Sequence, residues 1–306
     1  MHPVLIKVPF PDIPFLGIKG PLPLHTYGVL IVIGFLLAMY VAWREAKRQG
    51  QYTEEVLDFA FWALLGGMIG ARVVFIIVNW HDYVANPIKI VKIWEGGLVL
   101  YGAALGGFVS YLLYARKHKI LGVEQLKLAD MMVVGLPLAA SFGRLGCIAA
   151  GCCWGDSAYH FDAAGQIVAD FPVTIQFPEG SLAYSSLINS ESGDVVARMR
   201  EIKATMPLIP VQLIDSFMEV GLFLTLLVVR SRKWFHGQVL LTYGILYPIV
   251  RSSLELMRGD TERGYVIDGV LSTSQFISLC MATASLVAIL VLRRRGMAAV
   301  AAPSTP

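Results

Sequence analysis

Charged residues are scarce in this chain. Asp, Glu, Lys and Arg make up 15% of its 306 residues, whereas apolar residues make up 56%. A soluble domain carries about 25% charged residues. The mean hydropathy is +0.63. This composition excludes an ordinary water-soluble domain and predicts a membrane protein.

Other features are missing as well, and each absence reduces the number of possible functions. The last apolar run, STSQFISLCMATASLVAILVL, has no lysine, which excludes a retinal receptor with a Schiff base there. The four cysteines form no C-x-x-C motif, which argues against a membrane thiol oxidoreductase. The first 23 residues are rich in proline and lack a basic start followed by a continuous apolar core, so we expect no cleaved signal peptide.

Apolar runs long enough to cross a bilayer as helices occur seven times. The sequence therefore predicts an all-α membrane protein with seven transmembrane helices. The predicted spans are approximately Leu24 to Trp43, Val56 to Trp80, Gly97 to Tyr114, Leu126 to Ala150, Val211 to Val229, Gln238 to Met257 and Ser272 to Leu292.

Basic residues in the short connections predict the orientation, because cytoplasmic loops are enriched in Lys and Arg. One set of connections carries Arg44, Lys47, Arg48, Arg116, Lys117, Lys119, Lys127, Arg230, Arg232, Lys233 and Arg293 to Arg295. The N-terminus is therefore predicted to be periplasmic and the C-terminus cytoplasmic. The net charge of +3 follows from this pattern, and we expect no nucleic-acid partner.

The predicted topology divides the chain into five parts. They are an N-terminal periplasmic arm (1–23), transmembrane helices 1–4 (24–154), a small periplasmic head (155–206), transmembrane helices 5–7 (207–293) and a cytoplasmic tail (294–306). In the head we expect short strands around IVADF and VTIQF.

Three arginines lie inside predicted spans: Arg72, Arg144 and Arg251. An ionisable group at membrane depth faces a counter-charge, a pathway or a ligand. In the predicted topology, Arg144 and Arg251 each lie about 9 Å below the outer surface. We expect them to bind an anion such as a lipid phosphate, for which the guanidinium fork is well shaped. For Arg72 two interpretations stay open, a structural ion pair or a wall of the anion site.

The sixth span has a regular polar spacing. Tyr247, Arg251, Glu255 and Arg258 follow one another at intervals of four, four and three residues, which predicts one helix face. One interpretation is an Arg251–Glu255 ion pair that fixes helix packing. The other is anion binding by Arg251, and the two are compatible because a carboxylate can orient an arginine that binds phosphate.

Five strings occur in order along the spans: LHTYG, WEGGLVLYGAALGG, SFGRLGCIAAGCCWG, PVQLIDS and YPIVRSSLELMRGDTERG. Together they resemble the prolipoprotein diacylglyceryl transferase family, in its GCC-type variant, over roughly Pro21 to Leu292. The resemblance implies an enzyme of the bacterial inner membrane with its active site facing the periplasmic leaflet. It also implies transfer of the diacylglyceryl group of phosphatidylglycerol to the lipobox cysteine of a preprolipoprotein signal peptide. A thioether forms, glycerol 1-phosphate is released, and neither metal nor organic cofactor is expected.

By the same resemblance, the expected catalytic residues lie on four of the spans. They are Arg144, Arg251, Tyr27, Tyr101 and Glu255. The resemblance, together with the charge and spacing described above, gives the expected substrate-binding residues as Arg144, Arg251, Arg72, Tyr247, Gly155 and Arg258.

The sequence also departs from the pattern of the best-known members. Tyr101 stands where they have a histidine, and a tyrosine of ordinary pKa near 10 is a poor base at neutral pH. We therefore expect Tyr101 to orient the lipid head group or the thiol. Cys147, Ala150 and Cys152 replace two amides and an acid of the signature, so a specialised paralogue with another acceptor stays an alternative. An anion or lipid transporter is a further alternative.

Small residues cluster near the arginines. For Cys152 and Cys153 we expect close helix packing, with a disulfide to Cys147 as an open alternative and a zinc site disfavoured. Cys280 is expected to be a packing residue. Tight helix packing is likewise expected at Gly66, Gly67, Gly70, Gly102, Gly106 and Gly107.

Overall fold

A computed structural model describes residues 4–9, 20–85, 87–90, 96–97, 99–259, 264–267 and 271–294. The tail from residue 295 onward and part of the N-terminal arm lie outside the described residues. The chain divides into two compact units. The first comprises residues 1–38 and 133–306, and the second comprises residues 39–132.

The structure is mainly helical. Its α-helices are α1 (Thr26–Gln49), α2 (Thr53–Val78), α3 (Trp80–Ala85), α4 (Leu100–Lys117), α5 (Val123–Val133), α6 (Leu136–Ala150), α7 (Leu182–Ser190), α8 (Gly193–Ile202), α9 (Val211–Ser231), α10 (Gln238–Glu255) and α11 (Thr273–Arg294). A short 3-10 helix covers Pro87–Ile90. The strands form antiparallel pairs, β1 (Val4–Val8) with β2 (Leu22–His25), β3 (Tyr159–Phe161) with β4 (Ile167–Ala169), and β5 (Tyr265–Ile267) with β6 (Leu271–Ser272).

Each predicted span overlaps at least one helix of the described structure. Among the described residues, five segments are long and apolar enough to cross a membrane: Thr26–Gln49, Thr53–Val78, Val123–Ala150, Val211–Ser231 and Thr273–Leu292. Large apolar side chains such as Ile69 and Ile77 of α2 are more than 60% exposed, as expected for lipid-facing positions. Helices α4 and α10 have 18 residues each, and their role as spans stays a prediction.

The fourth predicted span is not one continuous helix. Helix α5 ends at Val133, and α6 begins at Leu136 with Pro137 in its first turn. Proline lacks the amide hydrogen that a continuing helix requires. The intervening Gly135 also touches the backbone of α1, because a Cβ there would lie 2.6 Å from the carbonyl oxygen of Ala38.

In the first unit, α6 packs on α9, α9 on α10, and α10 on α11. The α6–α9 contact is antiparallel and polar. The Ser141 and Ser216 hydroxyls lie 2.8 Å apart in its middle, and Gln212 Nε2 donates to the Cys152 carbonyl at 2.8 Å at its end. Gly146 also allows α1 to pack closely against α6, because a Cβ at this position would lie 2.9 Å from the Tyr27 ring. These contacts are typical of membrane helices, which associate through small residues and interhelical hydrogen bonds.

In the second unit, α2 crosses α4 through glycines. A Cβ at Gly70 would lie 2.3 Å from the Gly102 carbonyl oxygen, and one at Gly106 would lie 2.1 Å from that of Gly66. Tight packing is therefore confirmed at these four glycines. The prediction of tight packing is wrong for Gly107, where a Cβ would meet no heavy atom of the described structure within 4 Å.

The predicted head contains short strands and helices. The strand expected at IVADF is confirmed as β4. The strand expected at VTIQF is wrong, because Ile175 makes only an isolated bridge with Leu208. Helices α7 and α8 fill this segment and bury Tyr184 and Met199 in a small apolar core with Met206.

Candidate active site

Arg144 of α6 is paired with a carboxylate that the sequence analysis did not single out. Its Nε lies 2.6 Å from Asp215 Oδ2 on α9, and the two side chains are 20% and 7% exposed. Among the described residues, the two Nη groups of Arg144 have no hydrogen-bond acceptor. One edge of the guanidinium is therefore fixed by Asp215, while the edge that would bind a phosphate is available.

A second acid lies one helical turn further along α9. Glu219 is only 2% exposed, and its Oε2 has no hydrogen-bond partner within the described part of the chain. It is close enough to Asp215 and Arg144 to interact with both electrostatically. On α10, the Tyr247 hydroxyl is within electrostatic range of Glu219, Asp215 and Arg144, and the Tyr243 hydroxyl is within range of the two acids. A buried acid thus borders the Arg144 site.

Arg251 is held on both sides. Its Nη1 lies 2.7 Å from Glu255 Oε2, and its Nη2 donates to Ser274 Oγ on α11 at 3.0 Å. The Arg251–Glu255 ion pair is therefore confirmed. Both Nη groups have protein partners, so the guanidinium of Arg251 is oriented more rigidly than that of Arg144.

The two arginine pairs belong to one electrostatic cluster. The Asp215 carboxylate is within electrostatic range of Arg144, Arg251 and Arg258. Tyr247 interacts with Arg144 and Arg251 in the same way, and its ring stacks on that of Tyr243 at 5.3 Å. Tyr27 at the start of α1 interacts with Arg144. The first unit therefore brings five predicted site residues, Tyr27, Arg144, Tyr247, Arg251 and Glu255, into one region.

Gly155 and Arg258 meet outside the helices. They form an antiparallel bridge, and Gly155 N donates to Ile209 O at 3.1 Å. A Cβ at Gly155 would lie 2.5 Å from that oxygen, so only glycine fits. The expectation that Arg258 continues the helix face of Arg251 is wrong. Helix α10 ends at Glu255, since the chain turns to pair with Gly155.

Arg72 and Tyr101 belong to the second unit and are described there. Arg72 is 7% exposed and donates to the carbonyls of Ile90, Gly96 and Gly97 at 3.1, 2.6 and 3.1 Å. These contacts give Arg72 a structural role in holding Ile90, Gly96 and Gly97. Tyr101, in the first turn of α4, is 44% exposed. Substrate binding by Arg72 and catalysis by Tyr101 stay predictions.

The acids Asp215 and Glu219 are the site residues that sequence analysis missed. A usable signal was present, because two carboxylates four residues apart in an apolar span predict partners for the intramembrane arginines. Asp215 lies in the PVQLIDS string, but no role was predicted for it.

Replacing Asp215 with Asn should destabilise the protein, because it leaves a largely buried guanidinium without its counter-charge. Breaking such a pair costs about 3 kcal/mol, and we expect a fall of several degrees in the thermal unfolding midpoint in detergent. Asp156→Asn, on the exposed loop after Gly155, is the matched control and should leave the midpoint unchanged. Equal midpoints for the two variants would contradict a stabilising Arg144–Asp215 pair.

These features define a helical membrane protein with paired charges among its helices. A sequence model described as prolipoprotein diacylglyceryl transferase matches residues 14–291. The chain belongs to the prolipoprotein diacylglyceryl transferase family.

Relatives match over most of their length. A protein named phosphatidylglycerol--prolipoprotein diacylglyceryl transferase 2 from Clostridium perfringens is 31% identical, covering 84% of this chain and 87% of that protein. Proteins named phosphatidylglycerol--prolipoprotein diacylglyceryl transferase from Clostridium tetani and Clostridioides difficile are 31% and 30% identical. They cover 91% and 88% of this chain, and 93% and 91% of their own length.

Proposed function

We propose that this protein transfers the diacylglyceryl group of phosphatidylglycerol to the lipobox cysteine thiol of a preprolipoprotein. Family membership and the names of the relatives support this activity. The structural observation that carries the proposal is Arg144, whose Nε is fixed by Asp215 while its Nη groups have no acceptor among the described residues. This arrangement suits binding of a phosphate.

The charge balance of the reaction explains why arginines are needed. The thiol sulfur forms a bond to the terminal glycerol carbon of the diacylglyceryl group, and the bond between that carbon and the phosphate oxygen breaks. Glycerol 1-phosphate leaves with the electron pair, and the thiol proton goes to a base. The phosphodiester carries one negative charge, and the departing phosphate monoester gains a second. Positive charge at the phosphate therefore stabilises the transition state more than bound substrate.

The two arginines have different parts in this proposal. Arg144 binds the phosphate through its available Nη edge. Arg251, oriented by Glu255 and Ser274, contributes positive charge from a fixed position. Tyr27 and Tyr247 border the cluster and shape the pocket around the head group, while Tyr101 orients the lipid or the thiol. No cofactor takes part in this step.

We further propose the full membrane topology. Helices α4 and α10 complete seven spans, with the N-terminus periplasmic, the C-terminus cytoplasmic and the site opening to the outer leaflet of the bacterial inner membrane. The basic connections support this orientation. Phosphatidylglycerol would enter sideways between helices, and the signal peptide would present its cysteine from the periplasmic side.

The transfer assay uses purified protein in proteoliposomes, labelled phosphatidylglycerol and a lipobox peptide. Mass spectrometry should show the peptide gaining one diacylglyceryl group at cysteine. A peptide with serine in place of that cysteine, and vesicles of phosphatidylethanolamine alone, should give no product. Labelled lipid that crosses the membrane without modifying the peptide would favour a transporter and overturn the proposal.

A further inference from the structure

Three sulfur atoms converge at the C-terminal end of α6. The Sγ atoms of Cys147, Cys152 and Cys153 all lie within 4.8 Å of one another, and those of Cys152 and Cys153 are 3.7 Å apart. All three residues are free thiols, and Cys147 is buried. The proposed transfer reaction uses none of them.

Part of this convergence follows from how the helix ends. Gly151 has a left-handed backbone, with φ of 69°. Cys152 N donates to Cys147 O at 3.1 Å, and Gly151 N donates to Ile148 O at 3.2 Å. This pair of bonds is a Schellman motif, which brings the residue after the left-handed glycine over the last helical turn. The contact between Cys147 and Cys152 therefore needs no ligand to explain it.

Cys153 requires a different explanation. Its φ of 61° is left-handed, which costs a non-glycine residue roughly 1 kcal/mol or more. Such strain persists where the surrounding structure fixes it, and it concentrates at functional sites. Gln212 binds the Cys152 carbonyl at 2.8 Å and so anchors this turn from α9. The strained residue places a third sulfur beside the first two, which packing alone does not demand.

The sulfur geometry fits one metal ion. With metal–sulfur bonds of about 2.3 Å and tetrahedral angles, the sulfurs of a zinc site lie about 3.8 Å apart. The Cys152 and Cys153 sulfurs are 3.7 Å apart, and all three lie within 4.8 Å of one another. A divalent ion with three thiolates carries a net charge of −1. Arg144 and Arg258, both within electrostatic range of Cys153, would stabilise that charge.

We propose that Cys147, Cys152 and Cys153 form a three-thiolate site for a soft divalent metal ion, of the class of Zn²⁺ and Cd²⁺. Water fills the fourth position. When the ion binds, the protons still carried by the three thiols are released to solvent. The ion would tie the end of α6 to the turn that leads to Gly155, so its first role is structural.

The test uses the full-length protein, purified in detergent under argon with a phosphine reductant. Titration with Cd²⁺ should produce an ultraviolet sulfur-to-cadmium charge-transfer band that saturates at one ion per chain. Cys147→Ser, Cys152→Ser and Cys153→Ser should each weaken binding at least tenfold. Cys280→Ser, which removes the thiol of α11, is the matched control and should bind like the unaltered protein. Where a serine variant does not purify, the alanine variant replaces it.

Three results would overturn the proposal. They are the absence of the band, a band that survives in the variant lacking all three cysteines, and a disulfide between two of the three in protein purified under argon. The readout is metal binding rather than lipid transfer. A failure of the proposed transferase activity therefore leaves this test unaffected.

Discussion

Replacing Arg144 with Gln is expected to reduce transfer to a lipobox peptide at least 100-fold, or ~2.7 kcal/mol in transition-state stabilisation. Glutamine loses the positive charge and the forked donors that the departing phosphate requires. Arg144→Lys should recover little of the rate, because an ammonium group keeps the charge but cannot form two parallel hydrogen bonds to phosphate. Initial rates of thioether formation in proteoliposomes measure both effects.

Two further variants separate this effect from misfolding. Arg144→Gln leaves Asp215 buried without its counter-charge, whereas the double variant Arg144→Gln/Asp215→Asn replaces the ion pair with two neutral amides. The double variant should recover thermal stability but not activity. Arg198→Gln removes an arginine from an exposed ion pair with Glu201 and should keep the full rate. Transfer by the double variant within tenfold of the unaltered protein would contradict a phosphate-binding role for Arg144.

Gly106→Ala is expected to destabilise the second unit, whereas Gly107→Ala is not. The added methyl group at position 106 would lie 2.1 Å from the carbonyl oxygen of Gly66, and neither helix backbone can yield cheaply. Overpacking of this kind costs about 2–3 kcal/mol. At position 107 the methyl group meets no described atom within 4 Å, so alanine should stabilise α4 by up to about 1 kcal/mol through helix propensity.

Both variants add the same methyl group to neighbouring residues, so a difference in their stability reports the surroundings of each position. Thermal unfolding in detergent should show opposite shifts of the midpoint, downward for Gly106→Ala and upward or unchanged for Gly107→Ala. Similar midpoints for the two variants would mean that the α2–α4 glycine contact does not support the fold.

The helices were predictable because the apolar runs that cross a membrane are also long enough to form them. Sequence could not reveal the break between α5 and α6, since Pro137 is compatible with either a kink or a new helix start. It also could not distinguish Gly106 from Gly107. Adjacent helical residues point in directions about 100° apart, and only the structure shows which of them faces α2.

The candidate site was predictable in its arginines and in the partner of one of them. Intramembrane charge singles out Arg144 and Arg251, and helical spacing correctly pairs Arg251 with Glu255. The partner of Arg144 lies 71 positions away on α9, a separation that local spacing rules cannot bridge. Spacing also failed for Arg258, because the turn that ends α10 depends on the bridge to Gly155.

The most direct test of the proposed function measures both reaction products together. Purified protein, phosphatidylglycerol and lipobox peptide would be incubated in proteoliposomes, with glycerol phosphate followed by phosphorus NMR and modified peptide by mass spectrometry. We predict that glycerol 1-phosphate and thioether peptide accumulate in equal amounts, and that neither forms without the peptide thiol. Two results would contradict thiol attack coupled to departure of an arginine-bound phosphate. One is release of glycerol phosphate at the same rate without peptide, and the other is peptide modification without release of glycerol phosphate.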